Sequence, residues 1–463
     1  MNSGEATLDL IRLFVFLLGS SAVVTILARR LKMPYTVGLV AFGIVAGALA
    51  GPLQFEVTPE LVLVVLLPAL IFEASYRTDL VRLRSSLGGV ALLAGPGVVV
   101  SAAIIAAALR LGAGLPWQEA FVVGAMLSAT DPAAVIATFR RLRSPARLAT
   151  LVEAESVFND GTGIVVFAIA VDFVSRPVGP LDVTMAFVSV VAISSVLGAA
   201  AGYVASRLLP YVGDHLIEIS LSVVLAYGTY LVADATHQSG VIATAVAGIV
   251  LGNYGRGHGL SEVTEEGLTT VWDFVAYLAT AFVFLVVGFA IAAHSLVDVA
   301  PAIVWAIAAT LLGRAAIVYV LLGTWRVARE RIRPRRRAWL RDMAAAQRAP
   351  SDAPSVSMSP PGGSAQVDAG SALAATSFPA PWLHVVFWSG LRGAVSTALA
   401  LSLPIDFPDR AELQGITFGV VLFTLVVQAT TAEWVVGRWG VAPGSSPLPA
   451  ARDSAQLPGA TAQ

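Results

Sequence analysis

Glu155, Ser156, Asn159 and Asp160 fall together in Ala154-Glu155-Ser156-Val157-Phe158-Asn159-Asp160-Gly161, in the middle of an apolar run from Leu148 to Val174. A bare carboxylate near the middle of a bilayer costs at least a few kcal/mol, so two in one span need partners, water or an ion. Their spacing sorts them into two adjacent helix faces. Ser156 and Asp160 are i,i+4 neighbours, and Glu155 and Asn159 form the same pair about 100° around the helix. Asp160 with Ser156 and a loose backbone carbonyl supplies hard oxygens, which suit an alkali cation or a proton rather than a transition metal. Because Asn159 is neutral, Asp160 must take a proton or bind a monovalent ion, so the two compete for one site. Glu155 needs a cation of its own, and the apolar runs offer Arg314 and Arg392; a structural ion pair is the favoured role for it.

A second constellation lies upstream, at Ser128-Ala129-Thr130-Asp131-Pro132. Pro132 has no N–H and clashes with the carbonyl of Ser128, so a helix must kink or open there. A broken helix at mid-depth is tolerated where it lines a protein-walled or watery site, and its freed carbonyls and helix ends can coordinate ions. The simpler alternative is a proline kink in which Thr130 and Asp131 cap the following half-helix. A third interruption, Ser389-Gly390-Leu391-Arg392-Gly393, sets an arginine between two glycines. Arg392 can there satisfy carbonyls or neutralise the negative ends of half-helices. Glu73, in Phe72-Glu73-Ala74-Ser75-Tyr76-Arg77, either pairs locally with Arg77 or reaches an ion path, and His237 reads as a cap or surface residue at a helix start.

The elements that must hold these groups are membrane spans. With 57% hydrophobic and 13% charged residues and a mean hydropathy of +0.79, the 463 residues cannot form an ordinary soluble globule, in which about a quarter of residues are charged. Fold class is therefore all-α and polytopic. Apolar runs able to cross roughly 30 Å of hydrocarbon number about 13. They lie near 8–28, 35–50, 59–76, 86–109, 118–138, 148–174, 182–206, 215–233, 238–254, 270–293, 297–325, 382–403 and 413–437. Of the 29 Lys and Arg residues, Arg12, Arg314 and Arg392 fall inside spans, and most of the rest lie on alternate loops. The positive-inside rule makes those loops cytoplasmic, with the N-terminus outside and the C-terminus inside.

The chain thus divides into a membrane segment over 1–325, a basic and Pro/Ser-rich cytoplasmic insert over 326–381, a second membrane segment over 382–438 and a polar tail over 439–463. The insert opens with Arg326, Arg329, Arg331, Arg333 and Arg335-Arg336-Arg337. Its low hydrophobicity and prolines predict a disordered linker, and its arginines predict contact with anionic lipid. The absence of cysteine removes disulfides, thiolate nucleophiles and Cys-ligated metals. Glu5 and Asp9 precede Arg12 where a signal peptide would be basic, so the first apolar run reads as a retained helix. Nothing suggests nucleic acid as a partner.

Taken in order, Leu67-Pro68 with Phe72-Glu73, Thr130-Asp131-Pro132, Glu155 to Asp160, Ser239-Gly240-Val241-Ile242-Ala243 and Gly390 to Ser396 resemble the monovalent cation:proton antiporters, which include bacterial electroneutral sodium/proton antiporters and animal sodium/proton exchangers. The resemblance covers nearly all of residues 8–438. It implies a homodimer in the bacterial cytoplasmic membrane with two inverted six-helix repeats, a dimer-forming scaffold and a mobile core in which two broken helices cross. It further implies that Asp160 binds cation and proton by turns, with Ser156, Asp131, Glu73 and the Thr130 backbone lining the site. By the same resemblance Glu155 pairs with Arg314, and Asn159, Arg392 and Pro132 support the broken helices. A neutral Asn before the Asp goes with one-for-one exchange. The transported ions are then sodium or lithium and protons, with no cofactor and no enzymatic step. The long insert departs from the family pattern.

Potassium/proton exchange uses the same hard oxygens and is the alternative within the class. A cation channel calls for filter loops repeated across subunits, which the sequence lacks. An intramembrane hydrolase calls for an activated serine or paired acids at an aqueous pocket, and Ser156 has no histidine in its span.

Overall fold

Inside hydrocarbon every backbone N–H and C=O must find a partner within the protein, so long apolar runs become helices. A computed structural model describes residues 3–31, 33–50, 61–175, 180–255, 262–293, 296–328 and 379–440, and the described residues contain helices and no strand. In chain order these are α1 (Ser3–Leu31), α2 (Tyr35–Ala50), α3 (Leu67–Arg77), α4 (Leu80–Ala94), α5 (Pro96–Ala108), α6 (Trp117–Met126), α7 (Ala133–Leu142), α8 (Ala146–Ser175), α9 (Pro180–Leu208) and α10 (His215–Ala235). There follow α11 (Gly240–Val250), α12 (Glu262–Ala293), α13 (Ala300–Ala315), α14 (Trp382–Trp388), α15 (Ala394–Leu401), α16 (Arg410–Phe423) and α17 (Thr430–Val435).

Among the described residues seven helical stretches are long and apolar enough to cross a membrane: Ser86–Ala113, Ala146–Asp172, Met185–Tyr211, His215–Ala235, Val263–Ile291, Ala300–Ala328 and Arg410–Gly440. Tyr35–Leu49 and Gly240–Gly255 are shorter apolar helices. The runs expected at 118–138 and 382–403 are each divided into two short helices, so neither forms one continuous span. The reason is local: Pro132 interrupts the first, and Gly390 and Gly393 the second.

Two buried clusters hold the bundle. The larger gathers residues of both broken pairs with α5, α8, α13 and α16, among them Ile105, Val123, Val152, Val318, Val386 and Phe418. The smaller joins α3, α10, α11 and α12 through Phe72, Tyr76, Ala226, Ala247 and Trp272. Helix α2 lies against α12 at Gly43 and Gly288, where a Cβ on Gly43 would stand 2.5 Å from the Leu285 carbonyl oxygen. Small residues permit such backbone contact, which dispersion stabilises where no hydrophobic force acts between helices. On α9, Val188, Val196 and Val204 are exposed, as on a lipid-facing surface.

Helical structure from α13 runs on to Ala328, three residues past the boundary expected at 325. The remaining insert, 329–378, and the tail from 441 lie outside the described residues. His237 is exposed in the turn after α10 with φ 56°, while Ser239 caps α11, its Oγ accepting from the Ile242 N–H at 3.3 Å.

Candidate ion-binding site at the crossing of two broken helices

Helix α6 stops at Met126 and α7 starts at Ala133; α14 stops at Trp388 and α15 starts at Ala394. The two gaps meet. The Asp131 N–H donates to the Leu391 carbonyl at 2.8 Å, and Ser396 Oγ donates to the Ala129 carbonyl at 3.3 Å. The Ala394 N–H, first in α15, donates to Asp131 Oδ2 at 3.3 Å. A side chain at Gly393 would overlap the Asp131 carboxylate, so the absence of a Cβ there is what lets the carboxylate approach.

Asp131 thus reaches beyond the half-helix that follows it, to the start of α15. The N-cap of α7 is Pro132, with no side-chain cap. Asp131 serves the N-terminus of α15, where free N–H groups and the helix dipole favour an anion. Thr130 is turned toward α8.

From α8, Ser156 Oγ donates to the Thr130 carbonyl at 2.6 Å, and Asn159 Nδ2 donates to Thr130 Oγ1 at 2.9 Å. The one-turn spacing of the helix delivers both groups to the first break, while Asn159 Nδ2 also lies 3.5 Å from Glu155 Oε1. A freed carbonyl at Thr130 is thus held in place by the hydroxyl that neighbours Asp160.

Of the two arginines considered for Glu155, Arg314 is the one that binds it. Nη1 and Nη2 reach Oε1 and Oε2 at 2.6 and 3.1 Å, and Nη2 also donates to the Val386 carbonyl at 2.8 Å. Glu155 is 1% exposed and Arg314 4%. The Val386 contact places positive charge at the C-terminal end of α14, where unsatisfied carbonyls gather. Gly390 makes room, since a Cβ there would stand 2.6 Å from Arg314 Nε. Arg392, 1% exposed, donates from Nη1 to the Gly390 carbonyl at 3.0 Å. Arg392 therefore satisfies a carbonyl inside its own break, and the end of α14 falls to Arg314.

Asp160 is half-buried, and its Oδ1 is a buried atom with no hydrogen-bond partner. Asp131, Glu155 and Arg392 lie within its electrostatic reach, and the Thr130 backbone faces its carboxylate. Among the described residues there is no group of three or more His, Cys, Asp or Glu side chains placed to hold a metal ion. Glu73 pairs locally: Arg77 Nε meets its Oε1 at 2.7 Å, and Arg77 also pairs with Asp273.

Tyr35 escaped the reading of the sequence. Its hydroxyl bonds to Thr280 and lies within electrostatic reach of both Asp131 and Glu73. Nothing in Pro34-Tyr35-Thr36 signals that position. Thr424, which bonds the Arg392 backbone inside the second break, was also missed, although a Thr and a Gln one turn apart in the apolar run Val420 to Ala429 were a usable signal.

The sodium/hydrogen exchanger transmembrane family matches residues 18–438. The chain is 32% identical over 452 residues to the Na(+)/H(+) antiporter NhaG of Bacillus atrophaeus, covering 94% of this chain and 76% of the relative. It is 33% identical over 442 residues to the Na(+)/H(+) antiporter NhaH of Halobacillus aidingensis, covering 92% and 97%. Its fold is similar to the solved structure of the sodium proton antiporter MjNhaP1 from Methanocaldococcus jannaschii at pH 8, with a TM-score of 0.69, 17% identity and coverage of 94% and 99%. A family match that includes both breaks, Glu73 and all of α8's polar residues leaves one conclusion: the chain belongs to the sodium/hydrogen exchanger family of transmembrane proteins.

Proposed function

We propose that this protein is a secondary antiporter that exchanges sodium, or lithium, for protons across the cytoplasmic membrane, with Asp160 as the group that carries either ion. One observation supports this most directly. Asp160 Oδ1 is buried without a hydrogen-bond partner, whereas Glu155 is bound by Arg314 and Asp131 by the first N–H of α15. The carboxylate with spare capacity lies one turn from Ser156, whose hydroxyl holds the Thr130 carbonyl, and such hard oxygens suit an alkali cation. The names of the relatives support sodium as that cation.

Only charge-neutralised forms of the site cross a low-dielectric barrier cheaply, so sodium-bound and protonated states move while the bare carboxylate does not. Coupling needs no covalent step and no cofactor. With a neutral amide at Asn159 one charge is exchanged for one, which makes the cycle electroneutral. Thirteen spans, two inverted six-helix repeats with the broken pairs in equivalent places, a mobile core and a homodimer belong to the same proposal. So do Glu73 as part of the ion path, the N-out, C-in orientation and anionic lipid at the basic insert.

The test is dissipation of a preformed pH gradient in proteoliposomes on addition of sodium, lithium or potassium, with Asp160→Asn beside the native protein. A saturable sodium or lithium response absent in the variant is expected; a response to potassium alone would move the reading to a potassium/proton antiporter. Exchange retained by a correctly inserted Asp160→Asn protein would remove Asp160 from its role.

A further inference from the structure

The second break leaves the N–H and C=O of Arg392 without helical partners, and both find the same side chain. The Arg392 N–H donates to Thr424 Oγ1 at 3.1 Å, and Thr424 Oγ1 lies 3.1 Å from the Arg392 carbonyl. Thr424 is 1% exposed and stands where α16 passes into the wider turns of Thr424–Ala429. Its hydroxyl proton has a second acceptor, the Val421 carbonyl at 3.0 Å, so the hydroxyl bonds Arg392 from a fixed place on its own helix. The same stretch holds the other side of the break. Trp388 Nε1 donates to the Gln428 carbonyl at 3.1 Å and to Thr431 Oγ1 at 3.0 Å.

The arrangement parallels the first break, where Ser156 Oγ holds the Thr130 carbonyl. In each case an unwound residue is held by a hydroxyl from a spanning helix further along the chain. In the first break the neighbouring charge is the carboxylate of Asp160, one turn beyond Ser156. In the second, the residue gripped is itself charged, and its guanidinium lies within electrostatic reach of Asp160. The place of that charge is therefore set by how its backbone is held.

We infer that Thr424 is a positioning residue of the ion site, holding the Arg392 backbone and thereby setting where the Arg392 guanidinium stands relative to Asp160. The inference rests on the reading of Asp160 as the ion-carrying group.

Thr424→Val removes the hydroxyl at nearly constant volume, Thr424→Ser keeps it, and Thr417→Val removes a buried hydroxyl on the same helix that bonds only its own Leu413 carbonyl. Each protein is reconstituted, and KM for sodium is measured across a range of pH with Asp160→Asn alongside. Thr424→Val should raise KM about threefold to tenfold, the effect of one buried hydrogen bond, and displace the acid limb of the pH profile. Thr424→Ser and Thr417→Val should keep native values for both. A native KM and pH profile in Thr424→Val, or equal shifts in Thr417→Val, would overturn the inference. Should Thr424→Val not reach the membrane, Thr424→Cys carries the same test, since a thiol is a poorer hydrogen-bonding group of similar size. Activity surviving in Asp160→Asn would sink the reading of the site, whereas an unmoved Thr424→Val beside an inactive Asp160→Asn sinks only the role of Thr424.

Discussion

Arg314 on α13 binds Glu155 on α8 through both guanidinium nitrogens and reaches the Val386 carbonyl on α14 with one of them. One side chain thus ties the helix that carries Asp160 to the half-helix that leads into the second break. Breaking a buried pair by removing one partner strands a charge, at a cost of about 3–5 kcal/mol. Arg314→Ala should lower the melting temperature in detergent sharply, and Glu155→Gln should do the same. Joint replacement by Glu155→Leu and Arg314→Met should recover much of the stability, because neither charge is then left alone. Equal losses in the single and joint variants would show that the pair is not what holds these helices.

Gly393 faces Asp131 with no room for a Cβ. Gly393→Ala should abolish exchange or prevent folding, as overpacking of a tight contact typically costs 1–3 kcal/mol. Pairing it with Asp131→Gly removes the obstructing carboxylate, so the pair should fold better than Gly393→Ala alone. Thermal stability of the purified proteins reads this directly.

Ser156 Oγ orients the Thr130 carbonyl at 2.6 Å. Ser156→Ala frees that carbonyl and removes one oxygen beside Asp160. A loss of about 1–1.5 kcal/mol corresponds to roughly a tenfold rise in KM for sodium, with a smaller change in maximal rate. Initial rates over a sodium titration separate the two.

The proposed competition at Asp160 has a definite sign. Protons occupy the carboxylate as pH falls, so the apparent KM for sodium should rise toward acid pH, by as much as about tenfold per unit where protonation dominates. Saturating sodium should restore the rate and carry the acid limb to lower pH. A maximal rate that falls at acid pH with KM unchanged would point to a proton site separate from the sodium site.

Much of this arrangement was legible in the residues, and the exceptions are instructive. Pro132 inside an apolar run, and glycines on both sides of Arg392, mark the interruptions because proline removes a helix hydrogen bond wherever it stands and glycine resists helix. The i,i+4 spacing in Glu155 to Asp160 puts two polar pairs on adjacent faces of any helix those residues form. Such properties follow from covalent geometry and hold before the chain folds.

What the broken ends touch is a different kind of fact. The sequence alone determined an all-helical membrane protein with interrupted spans and a cluster of polar groups, Glu155 to Asp160, inside one of them. The tertiary structure holds the Glu155–Arg314 pair that the resemblance implied, and it alone decided that Asp131 serves α15, that Tyr35 lies within electrostatic reach of Asp131, and that Thr424 bonds the Arg392 backbone. Each joins residues far apart in the chain, up to 263 positions for Asp131 and Ala394. Spacing along a helix governs neighbours one or two turns apart, whereas contacts at such separations are chosen by how whole helices pack.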